Sequence, residues 1–275
     1  MADFTTADIV KLRKTTGAGM MDCKSALAEA NGDFDKALDI IRKKGQLVAS
    51  KRADREATEG VVLAKTTADG TVGVMIVLNC ETDFVAKNEK FIHFAGSLLE
   101  VAADQLPSDL DGLKKLSLEG KSIEDTVVEQ VGIIGEKLDL SFYAKLEAGK
   151  VVTYIHPGNN LASMVGFNKE PEVQVGKDIA MQIAAMNPVA VDKEQVPQQV
   201  IDKETEIGKD QARQEGKPED LVERIALGKL NKFFKERTLM NQEFIKDNKK
   251  NIRQYLEGAD KELQVTGFER FNLKD

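Results

Sequence analysis

Cys80-Glu81-Thr82-Asp83-Phe84-Val85-Ala86-Lys87-Asn88-Glu89-Lys90-Phe91 is the stretch on which the reading of this chain turns. It follows an apolar run rich in β-branched residues, Val72 to Leu78, and precedes a helix-like run, Phe91 to Ala103. It therefore connects two packed elements and belongs on the surface. Phe84 nevertheless stands among Thr82, Asp83 and Lys87, and an exposed ring forgoes about 2 kcal/mol of burial. Either the ring folds back under its own loop as a staple for the next helix, or another molecule buries it.

Working outward, the surroundings of this stretch occur twice. Val61 to Ala64 and Val72 to Leu78 read as a hairpin across Ala68-Asp69-Gly70, followed by the helix ending at Ala102-Ala103. Ser141 to Glu147 and Val151 to His156 read as strands across Ala148-Gly149; Pro157-Gly158-Asn159-Asn160 turns the chain into a third, Leu161 to Phe167. A helix from Gly176 to Met186 follows. The pattern is a duplicated strand-strand-helix unit in which Leu161 to Asn168 matches Val72 to Asn79. Between strand and helix the second copy carries Lys169-Glu170-Pro171-Glu172-Val173-Gln174 and no ring. A phenyl needed only to close the unit should have a counterpart there, so the asymmetry favours Phe84 as a contact residue.

Flanking this core, residues 5 to 44 predict three short amphipathic helices. Thr5 with Asp8 forms a capping box, Gly17 and Gly19 interrupt the first helix, and Asn31-Gly32 ends the second before Asp33 caps the third. Gly45 to Thr58 reads as a separate, charged helical connector. After Pro188 and Pro197, Val200, Glu204, Ile207 and Gln211 climb one helical face until Gly216-Lys217-Pro218 breaks it. A returning helix turns Leu221, Val222, Ile225, Ala226 and Leu230 inward, making a protruding helical hairpin that braces the body, reaches a partner or meets a second copy. The tail offers a short helix around Ile252 to Leu256 and an alternating end, Val265, Phe268, Phe271, that adds a strand. These changes of character divide the chain at 1–56, 57–137, 138–192, 193–235 and 236–275, and the fold class is α+β.

Composition narrows the functions. A chain of 275 residues, 41% apolar and 31% charged, is long enough to bury one large or two moderate cores. Its net charge of −7 argues against general affinity for nucleic acid or anionic lipid, and the absence of tryptophan against a stacking platform for single strands. Met-Ala-Asp-Phe-Thr-Thr carries no basic leader and no run reaches the roughly 18 apolar residues of a membrane span, so the expected location is the cytoplasm. Cys23 and Cys80 lack metal-ligand spacing and suit that reducing compartment as free thiols. Gly17-Ala18-Gly19-Met20-Met21-Asp22-Cys23-Lys24 lacks the strand and Lys-Ser/Thr ending of a phosphate loop; it reads as a helix corner with Met20 and Met21 as adaptable contacts. An enzyme would have to use Cys23 or Cys80 with His93 or His156, and no local signature supports that. A scaffold or chaperone-like binder is the other alternative.

Four motifs, in order, resemble the translation elongation factor Ts family: Gly17 to Lys24, Cys80 to Ala86, Ile134-Gly135-Glu136, and Val265-Thr266-Gly267-Phe268. The resemblance runs from about residue 5 to residue 270. It implies a ubiquitin-associated-like helical head, a two-part core of antiparallel sheets with helices, a coiled-coil hairpin and a C-terminal module. It also implies guanine nucleotide exchange on elongation factor Tu, with no enzymatic chemistry and no cofactor or metal of its own. In proteins similar to this one the Asp-Phe pair of the Thr82-Asp83-Phe84-Val85 loop is the wedge, Phe84 supplying area and Asp83 a polar contact. Lys24 in the head, and Ile134, Gly135 and His156 on the core, resemble further contact positions, although Lys24 reads equally as a solvated lysine and His156 as a turn residue. Many family members continue past the last strand into another helix, whereas this sequence reads Phe271-Asn272-Leu273-Lys274-Asp275, so that helix's contact is expected to be missing or replaced.

Overall fold

The computed structural model describes residues 4–275; Met1, Ala2 and Asp3, which open the segment expected to carry no basic leader, lie outside the described residues. Helix and antiparallel sheet are mixed, as an α+β chain requires. Three helices open the chain: α1 (Thr6–Thr16), α2 (Met20–Glu29) and α3 (Phe34–Arg52). Thr5 and Asp8 close the predicted capping box, Gly17 ends α1 at φ 71°, and Asp33 caps α3 through the Lys36 amide. Their shared core is small: Ile9, Leu12, Cys23, Ala26, Leu27 and Ala37.

The break expected at Gly45 does not occur. The third helix runs through it to Arg52, and the reason lies 87 residues further on. Following β1 (Glu59–Thr66), β2 (Val72–Cys80), α4 (Asp83–Ala86), α5 (Glu89–Gln105), α6 (Leu110–Lys115) and the short pair β3 (Ser117–Leu118) and β4 (Lys121–Ser122), the chain enters α7 (Ile123–Ile134). There Gly132 meets Gly45 so closely that a Cβ on Gly132 would lie 2.4 Å from the Gly45 Cα. Gly45 thus carries a helix crossing rather than a helix end. Arg42 adds an ion pair to Glu129 at 3.3 Å. The first three helices are consequently packed on α7 as well as tethered to β1 through the chain.

Two three-stranded sheets form the body. In the first, β1 and β5 (Leu138–Glu147) flank β2; in the second, β6 (Lys150–Ile155) and β10 (Val265–Asn272) flank β7 (Leu161–Phe167), all antiparallel. The duplication holds in its central strand, β2 answering β7, and in the helix that comes next, α5 answering α8 (Val173–Met186). The expected hairpin across Ala148-Gly149 does not form: Leu138–Glu147 pairs with β2, and the turn carries the chain from one sheet to the other. A division at residue 138 therefore separates β5 from the sheet it completes. Each unit is a hairpin and a helix, with its third strand supplied by a later segment.

The alternation of side chains explains the layering. Val74, Ile76, Leu78 and Cys80 face α5 and α7, whereas Met75 and Val77 face Ala162 and Met164 of the second sheet. The far side of that sheet, Val165 and Phe167, is covered by Ile179 and Ile183 of α8 and by the C-terminal segment. Both faces of β2 and β7 are buried, which is why their sequences read as unbroken apolar runs.

Two helices project between these units and the tail, α9 (Gln198–Gln214) and α10 (Glu219–Arg237), turning at Gly216 with φ 69°. The inward face of α9 is Gly208 and Ala212, against Val222, Ala226 and Leu230, not the expected face of Val200, Glu204, Ile207 and Gln211. Small residues allow closer contact: a Cβ on Gly208 would meet the Ala226 Cα at 3.2 Å. Leu221 and Ile207 are left exposed, and Val200, Ile207 and Phe233 line a shallow side groove. The tail returns through β8 (Glu243–Phe244), β9 (Asp247–Asn251) and α11 (Ile252–Ala259) before β10 takes its place beside β7, as the alternating end predicts.

Candidate functional site

The organising stretch leaves β2 at Cys80 and immediately forms α4, a single turn of four residues. Thr82 caps it, its hydroxyl oxygen accepting from the Val85 amide at 3.4 Å. Asn88 then caps α5 by accepting from the Lys90 amide at 2.9 Å. Val85 and Ala86 turn inward against the first core. That leaves Phe84 pointing away, 83% exposed. The staple reading is overturned: Phe91, at 2% exposure, fills the core below while Phe84 fills nothing.

One residue back, Asp83 pairs with Lys87 at 2.6 Å across one helical turn, and that hydrogen bond holds the Asp83 carboxyl below the ordinary carboxylate range. Beneath the turn lie two further carboxylates. Glu136 accepts from the Thr82 amide at 3.1 Å and from the Thr82 hydroxyl at 2.7 Å. Glu81 accepts from the Lys137 amide at 2.6 Å and from Arg52 at 2.6 Å. The Lys137 amide above all, with help from Arg52 and Arg55, holds the Glu81 carboxyl low despite its burial. Sulfur contributes no reactivity: burial, assisted by the nearby Glu136 charge, pushes the Cys80 thiol up to about 12, so it stays protonated.

The sequence-predicted positions fall into three places. Thr82, Asp83, Phe84 and Val85 are joined to Ile134-Gly135-Glu136 by the Glu136 bonds. Ile134 is the last residue of α7, packed against the first core, and Gly135 ends that helix at φ 81° with open space where a Cβ would be. Lys24 stands exposed on α2, beside Met21, which is 70% exposed. His156 is exposed where β6 turns towards β7, its Nδ1 3.0 Å from the Tyr154 hydroxyl. Glu81 and Arg52 were missed as site residues. Glu81 lies inside the motif but Arg52 does not, and Glu81 meets its partners Arg52 and Lys137 across 29 and 56 residues of sequence, which spacing alone does not reveal.

A family profile described as "Elongation factor TS" matches residues 81–275, more than half of the chain and beginning at the carboxylate under the loop. The chain belongs to the elongation factor Ts family. Proteins named Elongation factor Ts agree with it nearly end to end: that of Porphyromonas gingivalis is 52% identical over 270 residues, covering 98% of both chains. Its counterpart in Christiangramia forsetii is 50% identical over 275 residues, covering 99% of this chain and all of the relative. For Bacteroides thetaiotaomicron the identity is 42%, with 98% of both chains covered. Among elongation factors of this family, the relatives extend the likeness over α1 to α3, which lie outside the profile match. Among the described residues no helix is long and apolar enough to cross a membrane, and no cluster of three or more His, Cys, Asp or Glu side chains could hold a metal ion.

Proposed function

We propose that this chain is the guanine nucleotide exchange factor for elongation factor Tu in translation elongation, and that Asp83 and Phe84 are its wedge. The observation that carries this reading is a phenyl ring 83% exposed on a capped turn whose neighbours on both sides are anchored. Burial of such a ring in a partner contributes about 2 kcal/mol, concentrated at one point of the interface.

Exchange requires no bond chemistry. A factor that binds the nucleotide-free GTPase more tightly than the nucleotide-bound form weakens the nucleotide by the same factor that the nucleotide weakens it. In GTPases the phosphates and Mg²⁺ are held by a loop at a helix start and by nearby carboxylate and hydroxyl ligands, so displacing an adjacent helix loosens both. Phe84 inserts between such helices. Asp83 exchanges its exposed Lys87 partner for a donor on the GTPase and fixes the ring's direction. Lys24 on the helical head faces the nucleotide domain, while Ile134, Gly135 and His156 meet another domain of elongation factor Tu.

The same reading assigns parts. Residues 1–56 are a ubiquitin-associated-like head, 57–192 a two-part core whose first sheet is completed by β5, 193–235 a coiled-coil hairpin available for self-association, and 236–275 a C-terminal module. The factor works in the cytoplasm, with no nucleic acid or membrane as direct partner, and it is not an enzyme in the sense of making or breaking bonds. The test is release of fluorescent GDP from elongation factor Tu. Substoichiometric amounts of this protein should accelerate release with multiple turnovers; binding without acceleration would establish a scaffold instead.

A further inference from the structure

Residues 81–82 and 136–137 hold each other by exchanging carboxylates. The Glu136 carboxylate spans the Thr82 amide and hydroxyl, and one residue along, the Glu81 carboxylate takes the Lys137 amide. Each side chain thus rests on the backbone of the opposite segment. The Glu81 side chain is only 13% exposed, and Lys137 Nζ continues the brace by donating to the Ala53 and Arg55 carbonyls at 2.8 Å each. Through Arg52 the same clasp reaches the end of α3.

A four-residue helix cannot hold its own direction. Closing one turn fixes several residues for a single hydrogen bond, so isolated turns are unstable. The α4 cap is the Thr82 hydroxyl, whose hydrogen is donated to Glu136 while its oxygen accepts from Val85. Glu136 therefore orients the capping atom from outside the loop, and the direction of Phe84 follows from that cap. We infer that Glu136 is a positioning residue for nucleotide exchange: with Glu81 it aims the Phe84 ring before contact, so that the partner does not bear the cost of ordering the turn. This inference rests on the proposed role of Phe84.

The experiment is a double-variant cycle on stimulated GDP release, reading the maximal rate and the factor concentration for half-maximal effect separately. Glu136→Ala should lower the maximal rate about tenfold with little change in half-maximal concentration, because the remaining interface is intact. In a Phe84→Ala background the same change should add less than about twofold, since no ring is left to aim. Glu136→Gln, which keeps one acceptor, should recover part of the rate. Thr82→Val, which keeps the side-chain shape but removes the hydroxyl, should reproduce the loss and guards against misfolding of the alanine variant. Normal exchange by Glu136→Ala beside an impaired Phe84→Ala, or losses that multiply in the double variant, would overturn the positioning role and leave the wedge standing. Normal exchange by Phe84→Ala alone would overturn the wedge, and the positioning role with it.

Discussion

In the first unit a four-residue helix and an exposed phenyl ring stand between β2 and α5; in the second, β7 passes to α8 through Lys169-Glu170-Pro171-Glu172, with Pro171 buried. Both connectors are tied down, but to different things. Glu81 and Thr82 are held by Glu136 and Lys137 between α7 and β5 and by the end of α3, whereas Asn168 is bonded to the Glu262 carbonyl and the Gln264 amide, and Lys169 pairs with Asp260 and Glu262. One frame thus presents a side chain outward, and its sibling uses the same corner to fasten the returning tail. The exposed apolar residue of the second corner, Val173 at 74%, is small and opens α8 directly. Duplication supplies the scaffold, and the inserted turn supplies the difference in use.

The tail's hold on the second unit is the place where that contrast is easiest to break. Asp178 is buried on α8 and accepts from Lys246, Tyr255 and Gln174. Burial alone would raise its carboxyl, but those three donors outweigh it and hold it below the ordinary range. Asp178→Ala should cost about 1–3 kcal/mol of stability in chemical denaturation, because the Tyr255 hydroxyl loses its acceptor and Lys246, half exposed, loses its partner. A depressed carboxyl contributes fully above its unfolded pKa, about 3.9, and its contribution is lost as pH falls through the lower folded value. The parent should therefore lose stability more steeply than the variant below about pH 4.

Of the two corners, exchange activity should depend on the first and not on the second. Phe84→Ala should reduce stimulated GDP release about thirtyfold and weaken the complex, as removal of a central aromatic anchor does. Val173→Ala, the matching truncation in the sibling corner, should leave release within about twofold. Equal losses from both would dissolve the distinction between the two connectors.

The seam between α3 and α7 belongs to the first unit only, and its two glycines are not equivalent. Gly132→Ala should cost about 1–3 kcal/mol, since its Cβ would sit 2.4 Å from the Gly45 Cα. Gly45→Ala has 3.6 Å to the nearest atom and gains helix propensity, so it should be neutral or stabilising by up to about 1 kcal/mol. Thermal melts of the two variants check the order. The smallest effect is expected at Lys87: Lys87→Met removes an exposed partner of Asp83 and should shift exchange by less than about twofold.

Strands β1, β2 and β7, the helix caps and the hairpin turn were legible in the sequence because each follows from local spacing or from burial on both faces. The partner of β5 was not, since Leu138 to Glu147 fits either sheet by pattern and pairing with β2 is decided by contacts far along the chain. The pair β8 and β9 escaped because Glu243 to Asn251 holds only two apolar residues, Phe244 and Ile245. Gly45 reads as a boundary because the helix that packs on it at Gly132 lies 87 residues away, and α9 reads as turned to its larger aliphatics when Gly208 and Ala212 make the contact. At the candidate site the ring could be read from its polar company, whereas the two carboxylates beneath it gain meaning only when residues 54 and 56 apart are brought together.

The most direct measurement is a crystal structure of this protein bound to nucleotide-free elongation factor Tu. The Phe84 ring should be buried between helices beside the vacated phosphate and Mg²⁺ site, with Thr82 still held by Glu136. A complex in which that ring remains in solvent, or lies away from the nucleotide domain, would contradict the wedge.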